Sequence, residues 1–124
     1  MKLPPPLARV RKICLALPEV TEKTAWGEAT FRVRDRMFAM CDDNHHDEGR
    51  IAVWCKATIL DQAMLVQTHP RQCFVPPYVG PKGWIGVRVD GRPSWQLVTD
   101  VLEAAYRLTA PPSLVARLGA RRKS

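Results

Sequence analysis

Apolar side chains recur every three or four residues in two segments of the chain, which is the spacing of a helix face that packs on a core. The first segment predicts a helix over about residues 5–17 that Pro18 ends. The second predicts a helix that Ser94 caps and that ends before Pro111. The repeating positions are Leu7, Val10, Cys14 and Leu17 in the first helix and Trp95, Val98, Leu102 and Ala105 in the second.

Two shorter helices are predicted from their boundaries. Thr58 begins one of them, and Asp61 three residues later completes a pattern that resembles a capping box. This helix should reach about Thr68 and end before Pro70. A last helix is expected over about residues 113–118, with Gly119 as its C-terminal cap.

Five short segments have the composition of β-strands, and they cover residues 31–34, 37–41, 51–56, 73–75 and 84–89. The polar stretch from Glu19 to Ala29, with Trp26-Gly27 near its middle, precedes the first of them. We expect the order α-βββ-α-ββ-α-α, in which short turns between neighbouring strands indicate antiparallel pairing. The predicted fold class is α+β, with two layers: a five-stranded antiparallel sheet and helices packed on one face.

Successive residues of a strand point to opposite faces of a sheet, so the branched aliphatic residues identify the face that the helices cover. Val53 and Val87 both belong to this set. The predicted core consists of Leu7, Val10, Leu17, Phe31, Val33, Ile51, Val53, Ile85, Val87, Val98 and Leu102.

The other face of the predicted sheet combines cations with indole rings. We call its members the basic–aromatic set: Arg32, Arg34, Trp54, Lys56, Trp84 and Arg88, together with Lys82 in the loop before the last strand. Cations can neutralise phosphates and indoles can stack on bases, so this composition is typical of a nucleic-acid surface. Two alternatives stay open: the indoles are covered by arginine stems or by the loop at residues 76–83, or the face docks a protein, a peptide or a second copy of the chain.

The chain has 124 residues and a net charge of +7, which is the size of one domain. The charge is concentrated at the ends, because residues 1–12 carry +4, residues 117–124 carry +4 and the middle carries −1. We expect a single domain over residues 1–118 and a basic tail over residues 119–124, which either increases solubility or takes part in binding.

Side-chain patterns for chemistry are weak along the whole chain. Residues 42–48 read Asp-Asp-Asn-His-His-Asp-Glu, but their spacing fits neither zinc nor calcium motifs. Pro70 interrupts the helix that would align His69 with Cys73 as a thiol–imidazole pair. The glycines at 80 and 83 are too few for a phosphate loop. We therefore expect no enzyme activity, no metal and no cofactor.

The four cysteines and the absence of membrane signals indicate the cellular location. Cys14, Cys41, Cys55 and Cys73 form no C-x-x-C pair, and we expect buried free thiols, as in a reducing compartment. No apolar run is long enough to cross a bilayer, and basic residues at positions 9, 11 and 12 interrupt any signal-peptide core. The expected location is the cytoplasm.

Several motifs, taken in order, are similar to those of the MmcQ/YjbR-like family over about residues 8–110. The N-terminal motifs are Leu15-Ala16-Leu17-Pro18-Glu19-Val20, Trp26-Gly27, Phe31-Arg32-Val33 and Met37-Phe38-Ala39. The C-terminal motifs are Pro77-Tyr78, Gly83-Trp84-Ile85-Gly86-Val87 and the segment from Trp95 to Tyr106. One departure is that many relatives have a lysine before the Phe-Ala pair, whereas this chain has Arg36 followed by Met37, which moves the charge to the opposite strand face.

The resemblance implies a two-layer fold with an antiparallel sheet, similar to that of secretion-chaperone-like proteins. It also implies the family's label of DNA-binding protein, attached to a double-wing arrangement, and it supplies no catalytic residues. We therefore expect a non-enzymatic DNA-binding protein, weakly sequence-specific, whose basic–aromatic set contacts the nucleic acid. The alternative is a chaperone-like module that docks a protein or peptide, or a homodimer, through the same face.

Overall fold

The chain forms four helices and six strands in this computed structural model, which describes residues 3–44 and 49–123, the last five by their backbone alone. A short 3-10 turn spans Gly80–Lys82. In chain order the elements are α1 (Pro5–Leu15), β1 (Val20–Ala25), β2 (Glu28–Val33), β3 (Arg36–Asp43), β4 (Ile51–Cys55), α2 (Ile59–Thr68), β5 (Cys73–Phe74), β6 (Ile85–Arg88), α3 (Trp95–Thr109) and α4 (Pro112–Lys123).

The strands form one antiparallel sheet in the order β1-β2-β3-β4-β6-β5. The predicted class, α+β with an antiparallel sheet, is confirmed, but the sheet has six strands where five were expected. The additional strand is β1, which lies in the stretch that the sequence analysis left as a polar connection. As an edge strand, β1 pairs with β2 alone and exposes most of its polar residues, so it carries no apolar run that would reveal it.

The hydrophobic core lies between one face of the sheet and helices α1 and α3. Every residue predicted for the core is buried there except Ile51, which is partly buried and packs against it. Tyr106 of α3 ties the layers together, because its hydroxyl donates to the carbonyl oxygen of Pro18 at 2.8 Å. Its ring also meets Phe38 edge to face, with 5.8 Å between the ring centroids, an arrangement that aromatic pairs favour.

The opposite side of the sheet, which we call the second face, is covered by side chains and a loop. Trp54 of β4 is buried but lies outside the helix-covered core. Its cross-strand neighbour in β6 is Gly86, which in turn pairs with Phe74 of β5. A Cβ on Gly86 would collide with the Phe74 ring, so the glycine makes room for that ring to lie on the sheet. The guanidinium of Arg50 stacks over Phe74 at 3.6 Å from the ring centroid.

Helix α2 begins and ends where the sequence predicts. The hydroxyl of Thr58 accepts from the backbone N–H of Asp61 at 3.1 Å, as in an N-terminal cap. The amide of Gln62 donates to the carbonyls of Gly80 and Trp84 at 2.8 and 2.6 Å. These two bonds attach the helix to the loop that precedes β6.

Two helix ends differ from the prediction. Helix α1 ends at Leu15 rather than at about residue 17. Helix α4 continues through Gly119 to Lys123, so the backbone of residues 119–123 prolongs a helix where a separate tail was expected. Glycine lowers helix propensity by about 1 kcal/mol relative to alanine, a cost that neighbouring helical residues can offset.

All four cysteines are free and buried, as predicted. Burial is the main cause of the raised pKa of the Cys41 thiol, at about 12, and of the Cys73 thiol, at about 11. Thiols of this kind are protonated and unreactive at neutral pH.

The hairpin turn between β1 and β2 places both of its residues in the left-handed region of backbone conformation. Trp26 and Gly27 connect β1 to β2 with φ of 54° and 76°, and their flanking residues Ala25 and Glu28 pair directly. A two-residue turn with positive φ at both positions is of type I′, in which asparagine and glycine are preferred. A bulky aromatic residue at the first position is therefore conformationally costly.

We expect Trp26→Asn to raise the free energy of unfolding by roughly 0.5–1.5 kcal/mol, because asparagine tolerates positive φ far better than tryptophan does. Urea denaturation measures the change. Trp26→Ala is the matched control, since alanine removes the ring without favouring the turn, and it should give no gain. Equal stabilisation by both substitutions would show that the backbone conformation is not the source.

Val53→Ala should lower the free energy of unfolding by about 1–3 kcal/mol, because it leaves a cavity between β4 and the helices. Val75→Ala is the matched control, since Val75 is exposed, and it should change stability much less. Equal losses in the two variants, measured by urea denaturation, would contradict the assignment of the Val53 face to the core.

Candidate functional site

The two indoles of the basic–aromatic set are covered within the chain. Trp54 is 3% exposed and Trp84 is 6% exposed, so among the alternatives that the sequence left open for these rings, the covered one is what the structure has. Trp84 lies just before β6, beside the loop that Gln62 of α2 holds. Trp84 is therefore already buried by its own chain.

The arginines of the set are separated from one another. Arg34 lies in the β2–β3 turn and forms an ion pair with Glu19 at 3.0 Å. Arg88 forms two hydrogen bonds to Asp90, both at 3.1 Å. Burial would raise the pKa of Asp90, but the bonds from Arg88 and from a backbone N–H outweigh burial and lower it. Arg32 is half-buried, and its Nε lies 3.4 Å from the hydroxyl of Thr30.

The two lysines of the basic–aromatic set lie apart from these arginines. Lys56 follows β4 and lines a groove of about 390 Å³ between α2 and α3, together with Asp61 and Asp100. Lys82 is exposed in the 3-10 turn. The structure therefore does not bring the seven predicted residues together in one surface.

A different site lies on the second face, around Trp54. It is a pocket of about 420 Å³ that we call the aromatic pocket, and three aromatic side chains from separate parts of the chain line it. Trp26 comes from the β1–β2 turn, Trp54 from the middle of β4, and Tyr78 from the loop after β5. The methionines of β3 complete the apolar lining, Met37 and Met40.

The two rim aromatics are held out toward solvent by unusual backbone conformations. Trp26 is 68% exposed and Tyr78 is 79% exposed. Both have positive φ, 54° for Trp26 and 63° for Tyr78, a conformation that costs a bulky residue about 1–3 kcal/mol. Residues in such conformations cluster at binding and catalytic sites, where the fold maintains them against their local preference.

The loop that carries Tyr78 is fastened at several points. Gly80 N donates to the carbonyl of Pro76 at 3.1 Å, and the carbonyl of Gly80 accepts from Gln62. Gly83, with φ of 98°, packs so closely on the start of α2 that a Cβ would lie 2.9 Å from the carbonyl oxygen of Ala57. The pocket wall that Tyr78 forms is therefore supported by α2.

Two buried carboxylates belong to the same pocket. Glu28 is 6% exposed and Asp42 is 4% exposed. Glu28 Oε2 accepts from the backbone N–H of Asp43 at 3.0 Å, which fixes this carboxylate at the end of β3. Among the residues that the structure describes, the lining includes no lysine or arginine.

The sequence analysis missed most of this site. Trp26 and Glu28 fell in the stretch that it treated as a polar connection, and Tyr78 was noted as part of a family motif but not as a binding residue. The available signal was the pair Trp26-Gly27, because a residue followed by glycine between alternating segments is a hairpin signature. Recognising that turn would have placed both a strand and an exposed indole there.

Metal and membrane features are limited in the described part of the chain. Residues 3–44 and 49–123 contain no group of three or more metal-binding side chains placed to hold an ion. His45 and His46, considered as ligands in the sequence, lie outside the described residues. Within the same ranges, no helix combines the length and the apolar character needed to span a membrane.

Comparisons with known proteins agree with the motifs noted in the sequence. A solved structure from Deinococcus radiodurans, described as carrying the DUF419 domain, superposes with a TM-score of 0.70 at 23% identity and covers 86% of this chain and 81% of its own. At that identity the likeness establishes the fold. No match is found among curated proteins. The family model described as YjbR matches residues 15–108, which is most of the chain, and the chain therefore belongs to the YjbR family.

Proposed function

We propose that this chain is a non-catalytic binding protein that docks a peptide or protein, and that the aromatic pocket receives a side chain of that partner. The observation that carries the proposal is the pair of exposed rim aromatics, Trp26 and Tyr78, held at positive φ beside a concave apolar pocket. Two large apolar side chains kept in solvent at a conformational cost lower stability, and binding offers a reason for them.

The composition of the pocket supports a docking role. Tryptophan and tyrosine are enriched among the residues that dominate binding energy at interfaces, since each buries a large area with few rotatable bonds. The pocket is also supported before any partner arrives, because β4 provides Trp54 and α2 holds the loop of Tyr78. A preformed site avoids the cost of ordering itself on binding.

The absence of catalysis is part of the proposal, and so is a cytoplasmic location. The four thiols are buried and free, and desolvation raises their pKa values, which removes them as nucleophiles. Ser94 uses its hydroxyl to cap α3 by accepting from Leu97 N at 3.2 Å. Free cysteines are typical of proteins in reducing compartments.

Peptides selected from a random library on the immobilised protein should depend on the aromatic pocket. We expect Trp26→Ala and Tyr78→Ala each to weaken the selected peptides by roughly tenfold or more, as truncation of an interface hot spot does. Leu60→Ala is the matched control, because Leu60 is equally exposed but lies on α2 away from the pocket. Peptides whose affinity ignores both substitutions, measured by fluorescence anisotropy, would refute the proposal.

DNA binding is the second candidate function, and one observation indicates a different surface for it from the one that the sequence predicted. The carboxylate of Glu19 is shared by Arg34 at 3.0 Å and Arg117 at 3.4 Å. With Arg36 at the end of the β2–β3 turn, the arginines there outnumber the acids Glu19 and Asp35. We call Arg34, Arg36 and Arg117 the basic corner. The net charge of +7 and this corner favour an electrostatic contact with phosphates that reads little sequence.

If the basic corner binds DNA, Arg34→Ala combined with Arg117→Ala should weaken binding and flatten the salt dependence, whose slope is about −0.9 per neutralised phosphate. Arg71→Ala combined with Arg92→Ala removes the same charge near the opposite edge strand and should have a smaller effect. Deleting residues 119–124 tests the C-terminal charges separately. No binding to single- or double-stranded DNA at roughly 50 mM salt would exclude this candidate.

A further inference from the structure

We infer that the aromatic pocket recognises a cation, and that the cation is the methylated ammonium group of a lysine side chain in the partner peptide. The inference rests on the proposed docking function and specifies the chemistry of the side chain that enters the pocket. It follows from the aromatic lining, the charge of the pocket, its size and the scarcity of polar groups on its walls.

The aromatic lining suits a positively charged guest. Trp26 and Tyr78 contribute exposed π systems from two separate parts of the chain, and Trp54, which is buried, completes the aromatic lining. Ammonium groups are attracted to aromatic faces, and tryptophan gives the strongest attraction. The polarisable thioethers of Met37 and Met40 add dispersion contacts with methyl groups.

The two carboxylates on the pocket favour a cationic guest. Glu28 and Asp42 are carboxylates at nearly full burial on the same pocket, where low dielectric strengthens their field. Glu28 also acts on Cys41, another lining residue. Burial is the first cause of its raised pKa, about 12, and the negative charge of Glu28 is the second. An anionic guest such as a phosphate would meet repulsion here.

The walls distinguish between kinds of cation. Apart from Glu28 and Asp42, the described lining residues are aromatic or apolar. A guest can therefore form few hydrogen bonds in place of those that it loses to water. A primary ammonium is strongly hydrated and would lose that hydration. Methyl groups on the nitrogen remove the hydrogen-bond donors, keep the charge and add apolar surface, which fits this lining.

The size of the pocket is consistent with one such side chain. About 420 Å³ lies within the range of small-ligand sites, roughly 300–1,000 Å³. A trimethylammonium head together with the end of its alkyl stem fits this volume. Because the rim aromatics are exposed, the peptide backbone can remain outside.

The test compares two peptides that differ in one atom. One carries trimethyllysine, and the other carries its neutral isostere, in which carbon replaces the charged nitrogen. Calorimetric titration of the full chain should show the charged peptide binding roughly tenfold more tightly, since the shape is the same and only the charge differs. Free choline should show the same preference over its uncharged isostere, the alcohol in which carbon replaces the nitrogen. Its affinity should be lower, because it lacks the peptide contacts.

Variants assign the preference to the pocket. Glu28→Gln keeps an oxygen for the Asp43 N–H and should reduce the preference for the charged peptide without weakening the isostere. Trp26→Ala should weaken both peptides. Asp100→Asn is the matched control, because Asp100 is exposed on α3, and it should leave both affinities unchanged.

The possible failures separate this inference from the docking proposal. Equal affinity for the two isosteres, with loss on Trp26→Ala, overturns the choice of a cation and supports docking. Absence of binding by both isosteres also overturns the cation, and docking then stands only if library-selected peptides still require Trp26. A preference for the charged peptide that survives Glu28→Gln and Trp26→Ala together overturns the assignment to this pocket.

Discussion

The helices of this protein cover only one face of a six-stranded sheet, and the rest of the structure depends on how the other face is closed. Trp54 stands at its centre, on β4. Without a second helical layer, its ring is buried by side chains and by the loop that α2 holds through Gln62. Gly86 contributes by having no side chain, which lets Phe74 lie on the sheet. A cover made of a loop and a few rings is incomplete, and the aromatic pocket is the part left open.

The helix-covered half of the fold is predictable from local sequence, and the second face is not. Caps at Thr58 and Ser94 and the aliphatic alternation around Val53 are signals carried by neighbouring residues, and the structure confirms them. Strand β1 was not predicted because an edge strand buries little and needs no apolar run. The burial of Trp54 and Trp84 stayed one alternative among several, because their cover comes from other parts of the chain, including residues more than twenty positions away from Trp54.

The structure separates the residues of the predicted binding surface for a related reason. Alternation along a strand correctly separates the two faces, but it does not show which charges are already paired. Glu19 reaches Arg34 fifteen residues away and Arg117 ninety-eight residues away, so its partners follow from the fold and not from any local pattern. Asp90 engages Arg88 only because the chain turns directly after β6. Sequence identified the cations, while their availability depended on tertiary contacts.

Net charge and local charge point to different partners in this chain. The total of +7 suggests a polyanion, but the pocket that offers shape and exposed aromatic surface is lined by two carboxylates and by no described cation. Buried charges act at short range in a medium of low dielectric, whereas exposed charges are screened within about 10 Å at ordinary ionic strength. The group that enters the pocket therefore responds to Glu28 and Asp42 more than to the basic ends.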